Sequence, residues 1–88
     1  MEDSLYEEEY TMNDLYSDLK VQDEVYFTLR FTMYVVWTTE DTYTIINLFD
    51  GTRSPRFESL DRLMAYKLNN NLSLYNNWDE FHLRFLHS

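Results

Sequence analysis

The run VYFTLRFTMYVVWT, residues 25–38, decides how the rest of the chain is read. Its residues alternate strictly. Val25, Phe27, Leu29, Phe31, Met33, Val35 and Trp37 point one way. Tyr26, Thr28, Arg30, Thr32, Tyr34, Val36 and Thr38 point the other. A period of two is the signature of a half-buried β-strand, because successive side chains project to opposite faces. At fourteen residues the run is long for one strand, typically about five or six, so a bulge or strong bend is expected within it. The odd face, Val25 to Trp37, is the expected core face. The even face, with Tyr26, Tyr34 and Val36, is apolar for a surface exposed to water.

Downstream, Thr39-Glu40-Asp41 reads as a turn and residues 42–49, TYTIINLF, as a second, antiparallel strand. Asp50-Gly51 is a hairpin dipeptide, and a short third strand can follow at 52–54. Ser54-Pro55 reads as a helix N-cap with proline in the first helical position. Phe57, Leu60, Met64 and Leu68 keep helical spacing, which predicts a helix over about 56–68, ended by Asn69-Asn70-Asn71. Residues 72–75 read as a brief strand or an irregular link. Asn77-Trp78-Asp79-Glu80 repeats the capping pattern, and Trp78, Phe81, His82, Phe85 and Leu86 share one face of a last helix. The alternation of Phe81, Leu83 and Phe85 would also suit a strand.

Upstream, Met12, Leu15, Tyr16 and Leu19 fall at i, i+3, i+4 and i+7, one apolar helical stripe. Thr11 is its N-cap, and Asp14 three residues on completes a weak capping box. A start at Ser4 with Glu7 as box partner is the alternative. The expected architecture is therefore α+β. An acidic N-terminal helix leads to a twisted antiparallel sheet of two to three strands, with two C-terminal helices packed on one sheet face. The 88 residues form one small domain, with 1–10 as a candidate frayed acidic extension.

Cysteine is absent, so disulfides and thiolate metal sites are excluded. With such staples missing from so short a chain, stability rests on packing or on oligomerisation. Packing material is plentiful: six Phe, eight Tyr and two Trp. The opening Met1-Glu2-Asp3 is acidic, and no long apolar run follows it. Neither a signal peptide nor a membrane span is predicted. The expected setting is the cytoplasm of a host cell.

The net charge of −9 is unevenly placed. Residues 1–24 hold nine acids (Glu2, Asp3, Glu7, Glu8, Glu9, Asp14, Asp18, Asp23, Glu24) against one base, Lys20. Residues 25–88 hold seven acids and six bases. Phosphate would be repelled, which disfavours direct nucleic-acid binding and anionic membrane surfaces and favours a basic partner. Were the first helix to run back to residue 3, Asp3, Glu7, Asp14 and Asp18 would fall on one stripe, roughly 6 or 10 Å apart along the axis. Glu8, Glu9, Asp23 and Glu24 would lie beside it. Such an array approximates a row of phosphates. Tyr10, among these acids, belongs to a residue type enriched at binding surfaces.

Catalytic motifs are few. His82 and His87, five residues apart, do not share a helical face, and one glycine cannot build a phosphate loop. No cofactor, no metal and no catalytic residue is expected. The stretch Phe57-Glu58-Ser59-Leu60-Asp61-Arg62-Leu63-Met64-Ala65-Tyr66 is similar to the F-x-S-L-x-x-L-x-x-Y run of SH2 domains, with Arg30 on a preceding strand. The chain lacks that family's opening Trp and its Arg-Glu-Ser run, and any amphipathic helix opened by serine yields the same pattern. In size, charge, aromatic content and missing motifs, the chain resembles small acidic phage and mobile-element inhibitors acting as DNA mimics. These include anti-CRISPR, anti-restriction and uracil-DNA glycosylase inhibitor types. That resemblance implies a basic nucleic-acid-binding host partner: a nuclease, Cas effector, restriction or repair enzyme. The partner-binding candidates are Asp3, Glu7, Glu8, Glu9, Tyr10, Asp14, Asp18, Asp23 and Glu24. The alternative is an adaptor or homodimer that uses the aromatic sheet face.

Overall fold

The computed structural model describes residues 9–68 and 71–87. The run at 25–38 is not one strand. It is a hairpin of β1 (Glu24–Leu29) and β2 (Thr32–Thr39), joined by Arg30-Phe31. Arg30 takes φ 57 at the first central position, where such tight turns usually carry glycine. Its side chain explains its presence there. The guanidinium forks over Glu80, with Nε 2.9 Å from Oε1 and Nη2 2.8 Å from Oε2. That bidentate pair holds the turn against the C-terminal part of the chain.

The hairpin reverses the expected parity. Val25 pairs with Val36, Phe27 with Tyr34 and Leu29 with Thr32. Odd residues of β1 therefore share a face with even residues of β2. Val25, Phe27, Leu29, Tyr34 and Val36 are all buried in one core. Met33, Val35 and Trp37 face the other way, contrary to expectation, and Trp37 is 41% exposed. Chain reversal by a two-residue turn leaves the sequence alternation intact while exchanging the faces.

The turn at Glu40-Asp41 forms as expected, both residues at positive φ. β3 (Thr42–Asn47) follows and pairs with β2. Beyond Gly51 (φ 79) the chain runs back along β3. Arg53 bridges Ile46, and Tyr43 and Phe57 exchange backbone hydrogen bonds at 2.8 and 2.9 Å. Ser54 accepts from the Ile45 amide through Oγ, at 2.9 Å. Ser54-Pro55 therefore caps no helix. The helix is α2 (Leu60–Ala65), much shorter than expected, and its N-cap is Ser59. Residues 53–57 are drawn into the sheet margin because the free edge of β3 offers hydrogen-bond partners to their backbone.

The second predicted C-terminal helix is also replaced. Trp78–Glu80 form one 3-10 turn, and Phe81–His87 form β4. β4 pairs antiparallel with β1, with an irregularity opposite Tyr26/Phe27. A short apolar run fits helix or strand alike. Here the unfilled edge of β1 and the alternation of Phe81 and Leu83 towards the core settle it. The sheet has four strands in the order β3-β2-β1-β4, more than the two or three expected.

α1 (Met12–Val21) has the expected Thr11–Asp14 capping box, and of the expected acidic residues it carries Asp14 and Asp18. Its Leu15 and Leu19 join Leu63 and Met64 of α2, with Leu68, Leu72 and Leu74, on the core face of the sheet. All described α-helical packing lies on that one face. Val35 is only 5% exposed yet stands outside the core cluster, as its place on the opposite face requires.

Candidate interaction surfaces

α1 builds the acidic surface. Thr11 is extended (φ −102, ψ 170) and its hydroxyl accepts from the Asp14 amide, while the Asp14 carboxylate accepts from the Thr11 amide at 2.8 Å. A helix running unbroken from residue 3 through 18 is thereby ruled out, because the cap interrupts it at Thr11. The phosphate-like stripe joining Asp3 and Glu7 to Asp14 and Asp18 does not form as one helical row. Asp3, Glu7 and Glu8 lie outside the described residues.

What the fold does assemble is a smaller patch. Glu9, Asp14 and Asp18 surround Tyr10 in one shallow depression that also includes Ser17. The Tyr10 hydroxyl donates to Asp18 Oδ2 at 2.5 Å, a short charge-assisted bond. Burial pushes the Tyr10 phenol up, and the Asp18 bond and the neighbouring Asp14 charge push the same way. Its ring lies parallel to Phe81 (5.8 Å between centroids, 5°) and near Trp78 (6.4 Å). Trp78 stacks on Phe81, Phe81 on Phe27 and Phe27 on Tyr34, a ladder running from the surface into the core. Tyr10 is thus less a contact residue than a peg holding the acidic segment to the sheet.

Asp23 and Glu24 do not join this patch. They follow the C-terminus of α1. Asp23 is used through its backbone, donating to the His87 carbonyl and accepting from the Thr38 amide, both at 2.9 Å. Glu24 belongs to the opposite sheet face. It accepts from the Tyr26 hydroxyl at 2.7 Å and lies 3.8 Å from His87 Nδ1. That bond holds the Tyr26 phenol above its usual range.

The open sheet face is the second surface. Tyr26 stacks on Phe85 at 4.2 Å, and Arg53 sits over the Trp37 ring at 5.9 Å. Phe85 is 52% exposed. Tyr34 and Val36, expected on this surface, are instead in the core, and Trp37 and Phe85 take their place. Only the position of the turn at Arg30-Phe31 could have revealed this. The one hint is a charged residue near the middle of a run too long for one strand.

A third cluster joins the helical layer. Tyr16 and Tyr75 both donate to Asp61 Oδ1, at 2.9 and 2.7 Å, and their hydroxyls lie 3.1 Å apart. The two bonds hold the Asp61 carboxyl below its usual range; burial and these partners push the Tyr16 phenol up. Among the described residues no group of three or more His, Asp or Glu is placed to hold a metal ion. No described helix is long and apolar enough to cross a membrane. The SH2-like pattern does not survive folding: Phe57 pairs with β3 outside α2, and Arg30 occupies a turn with its fork on Glu80. Comparison with protein-family models, curated proteins and solved structures finds no match.

Proposed function

We propose that this chain is a non-enzymatic inhibitor that binds a basic nucleic-acid-binding protein of its host through an acidic surface centred on α1. The observation that carries the reading is charge segregation. Nine acids against one base occupy residues 1–24, and the fold gathers Glu9, Asp14 and Asp18 around Tyr10 in one shallow depression. The Tyr10 peg and the Thr11 cap hold Asp18 and Asp14 in fixed positions. Preorganised carboxylates lose less side-chain freedom when they meet Lys or Arg. Among the described residues the shifts at Tyr10, Tyr16 and Asp61 run away from neutrality, which suits holding groups in place better than moving protons.

The experiment neutralises charge while preserving shape. Glu7, Glu8 and Glu9 become Gln, and Asp14 and Asp18 become Asn. The Asn amide oxygens can still accept from Thr11 and Tyr10, so the fold is retained. Tagged parent and variant are used to capture proteins from host lysate. The parent is expected to retain a basic nucleic-acid enzyme, to release it as salt rises, and to inhibit it. The variant is expected neither to retain that enzyme nor to inhibit it. Equal inhibition by the variant sinks the proposal.

A second reading, an adaptor that binds through the aromatic sheet face, is favoured by the exposure of Trp37 and Phe85. Binding through that face would survive high salt and depend on Trp37 rather than on Asp18.

A further inference from the structure

In an acidic chain, one hollow is lined by arginines, hydroxyls and a tryptophan. Trp37, Thr39 and Thr44 share the open face of β2 and β3, because Trp37 pairs with Thr44. Arg53, Ser54 and Arg56, from the segment that runs back along β3, complete the hollow, whose volume is about 230 Å³. No described acid lines it. Both ends of that segment are pinned. The Ser54 amide donates to the Ile45 carbonyl at 2.9 Å, and Phe57 exchanges backbone bonds with Tyr43. Arg53 sits over the Trp37 ring, 5.9 Å from its centroid. Among the described residues neither Arg53 nor Arg56 has an ion-pair partner. In a chain with 16 Asp and Glu, two guanidiniums without a carboxylate in one hollow suit an anion from outside.

We propose that this hollow binds a phosphate dianion, free or as the monoester of a small molecule, between Arg53 and Arg56. A guanidinium stacked on an aromatic ring keeps its N–H edge available for forked bonds to oxyanions. Arg56, on the same pinned segment, supplies a second fork, and the Thr39 and Thr44 hydroxyls can donate as well. That is more donors than the two oxygens of a carboxylate use. The three terminal oxygens of a phosphate group match them better. Pinned positions lower the ordering cost of binding. The net charge of −9 does not decide against this ligand, because most of the acids are elsewhere. Asp14 and Asp18 lie with α1 across the sheet, beyond the core. One such layer is on the order of 10 Å thick, more than the Debye length of about 8 Å at physiological ionic strength. Glu58 lines the adjoining hollow with Arg56 and Arg62 and stays outside this one, as do Glu40 and Asp41 of the β2–β3 turn. A nucleic-acid strand is a different case. Its row of phosphates extends past the hollow towards those acids, whereas a small ligand stays between the two arginines.

Two-dimensional proton–nitrogen NMR of the full chain tests the proposal, with titrations of sodium phosphate, methyl phosphate and sodium acetate at matched ionic strength. Both phosphates are expected to give saturable shifts of the Trp37 indole and of the Thr44, Arg53 and Arg56 amides, while the α1 amides stay in place. Affinity for methyl phosphate should rise as pH passes about 6, where a monoester gains its second charge. Arg53→Gln and Arg56→Gln should each weaken binding about tenfold or more, the loss of a charge-assisted contact. Arg56 is exposed, so Arg56→Gln leaves the fold intact, which its own spectrum verifies. Tighter binding of methyl phosphate assigns an ester ligand, and tighter binding of inorganic phosphate the free ion. Shifts no larger than those from sodium chloride overturn the proposal. So does binding unchanged in Arg56→Gln, or acetate held as tightly as phosphate. Saturable binding of a labelled oligothymidine that is lost in Arg56→Gln overturns the choice of a small ligand. Asp14→Asn with Asp18→Asn should leave phosphate binding unchanged or stronger while removing the acidic patch, so this test and that of the inhibitor fail independently.

Discussion

The acidic side of α1 and the open face of the sheet are both surfaces, yet they are built in opposite ways. Each acid of the patch that lies on α1 has a local partner: Asp14 serves the Thr11 cap and Asp18 the Tyr10 hydroxyl. Asp14 is placed by a partner three residues away and Asp18 by one eight residues away, Tyr10, whose ring is the patch's one tie to distant residues, Trp78 and Phe81. The open face draws on β1, β2, β3 and β4 together, and Tyr26 meets Phe85 only because strands distant in sequence are paired. The first surface is local chemistry displayed on a helix. The second is a product of topology. A lesion on the exposed side of α1 should therefore disturb one surface, whereas a lesion in the shared core, to which α1 contributes Leu15 and Leu19, should disturb both.

Leu15→Ala is the strongest way to break the comparison. Leu15 is fully buried beneath the acidic patch, and its truncation is expected to cost about 2–5 kcal/mol. Urea denaturation should show the loss, and both surfaces should fail together. Were the acidic patch alone affected, α1 would be more independent of the sheet than its packing implies.

Tyr10→Phe is narrower. It keeps the stack on Phe81 and removes the bond to Asp18, at an expected cost of about 1 kcal/mol. Salt-dependent partner capture should weaken while the sheet face is untouched. Thr11→Ala removes the side-chain half of the capping box and should cost about 1 kcal/mol, read as a lower urea midpoint at constant slope. A cost near zero would mean that the Asp14 bond to the Thr11 amide suffices to start the helix.

Stability against pH sharpens the comparison at both ends of the scale. The Asp61 and Glu80 carboxyls are held below their usual values, by Tyr75 and Tyr16 and by Arg30 respectively. Their stabilisation is full above the unfolded-state value of about 4 and is lost as pH falls below it. Tyr10 is raised, so the folded state keeps its proton longer than the unfolded chain. That stabilisation is full below about pH 10 and is lost as pH climbs above it. Thermal melts from acid to alkaline pH should therefore fall at both extremes. Tyr10→Phe should flatten the alkaline limb and leave the acid limb unchanged.

The smallest effect belongs to Phe31. It is 90% exposed in the β1–β2 turn, so Phe31→Ser should change stability by no more than about 0.5 kcal/mol. A larger loss would show that the turn is held by Phe31 as well as by the Arg30–Glu80 pair.

Local features were legible in the order of residues. The Thr11–Asp14 box and the Leu15–Leu19 stripe lie within one or two helical turns, so the sequence alone determined which side α1 buries and offered Thr11 as its cap, with Ser4 as the alternative that the structure removes. The Glu40-Asp41 turn was legible for the same reason, and so was the concentration of charge in the first quarter. Tertiary structure decided everything that depended on pairing. Alternation states that two sides exist but not which is covered, and a two-residue turn at Arg30-Phe31 exchanged them, burying Tyr34 and exposing Trp37. Phe81 to His87 suits a helix or a strand until the edge of β1 offers hydrogen bonds. Phe57 has helical spacing with Leu60, yet Tyr43 holds it to the sheet. In each case the competing local conformations differ by little free energy, and long-range backbone pairing and burial of aromatic surface outweigh that difference.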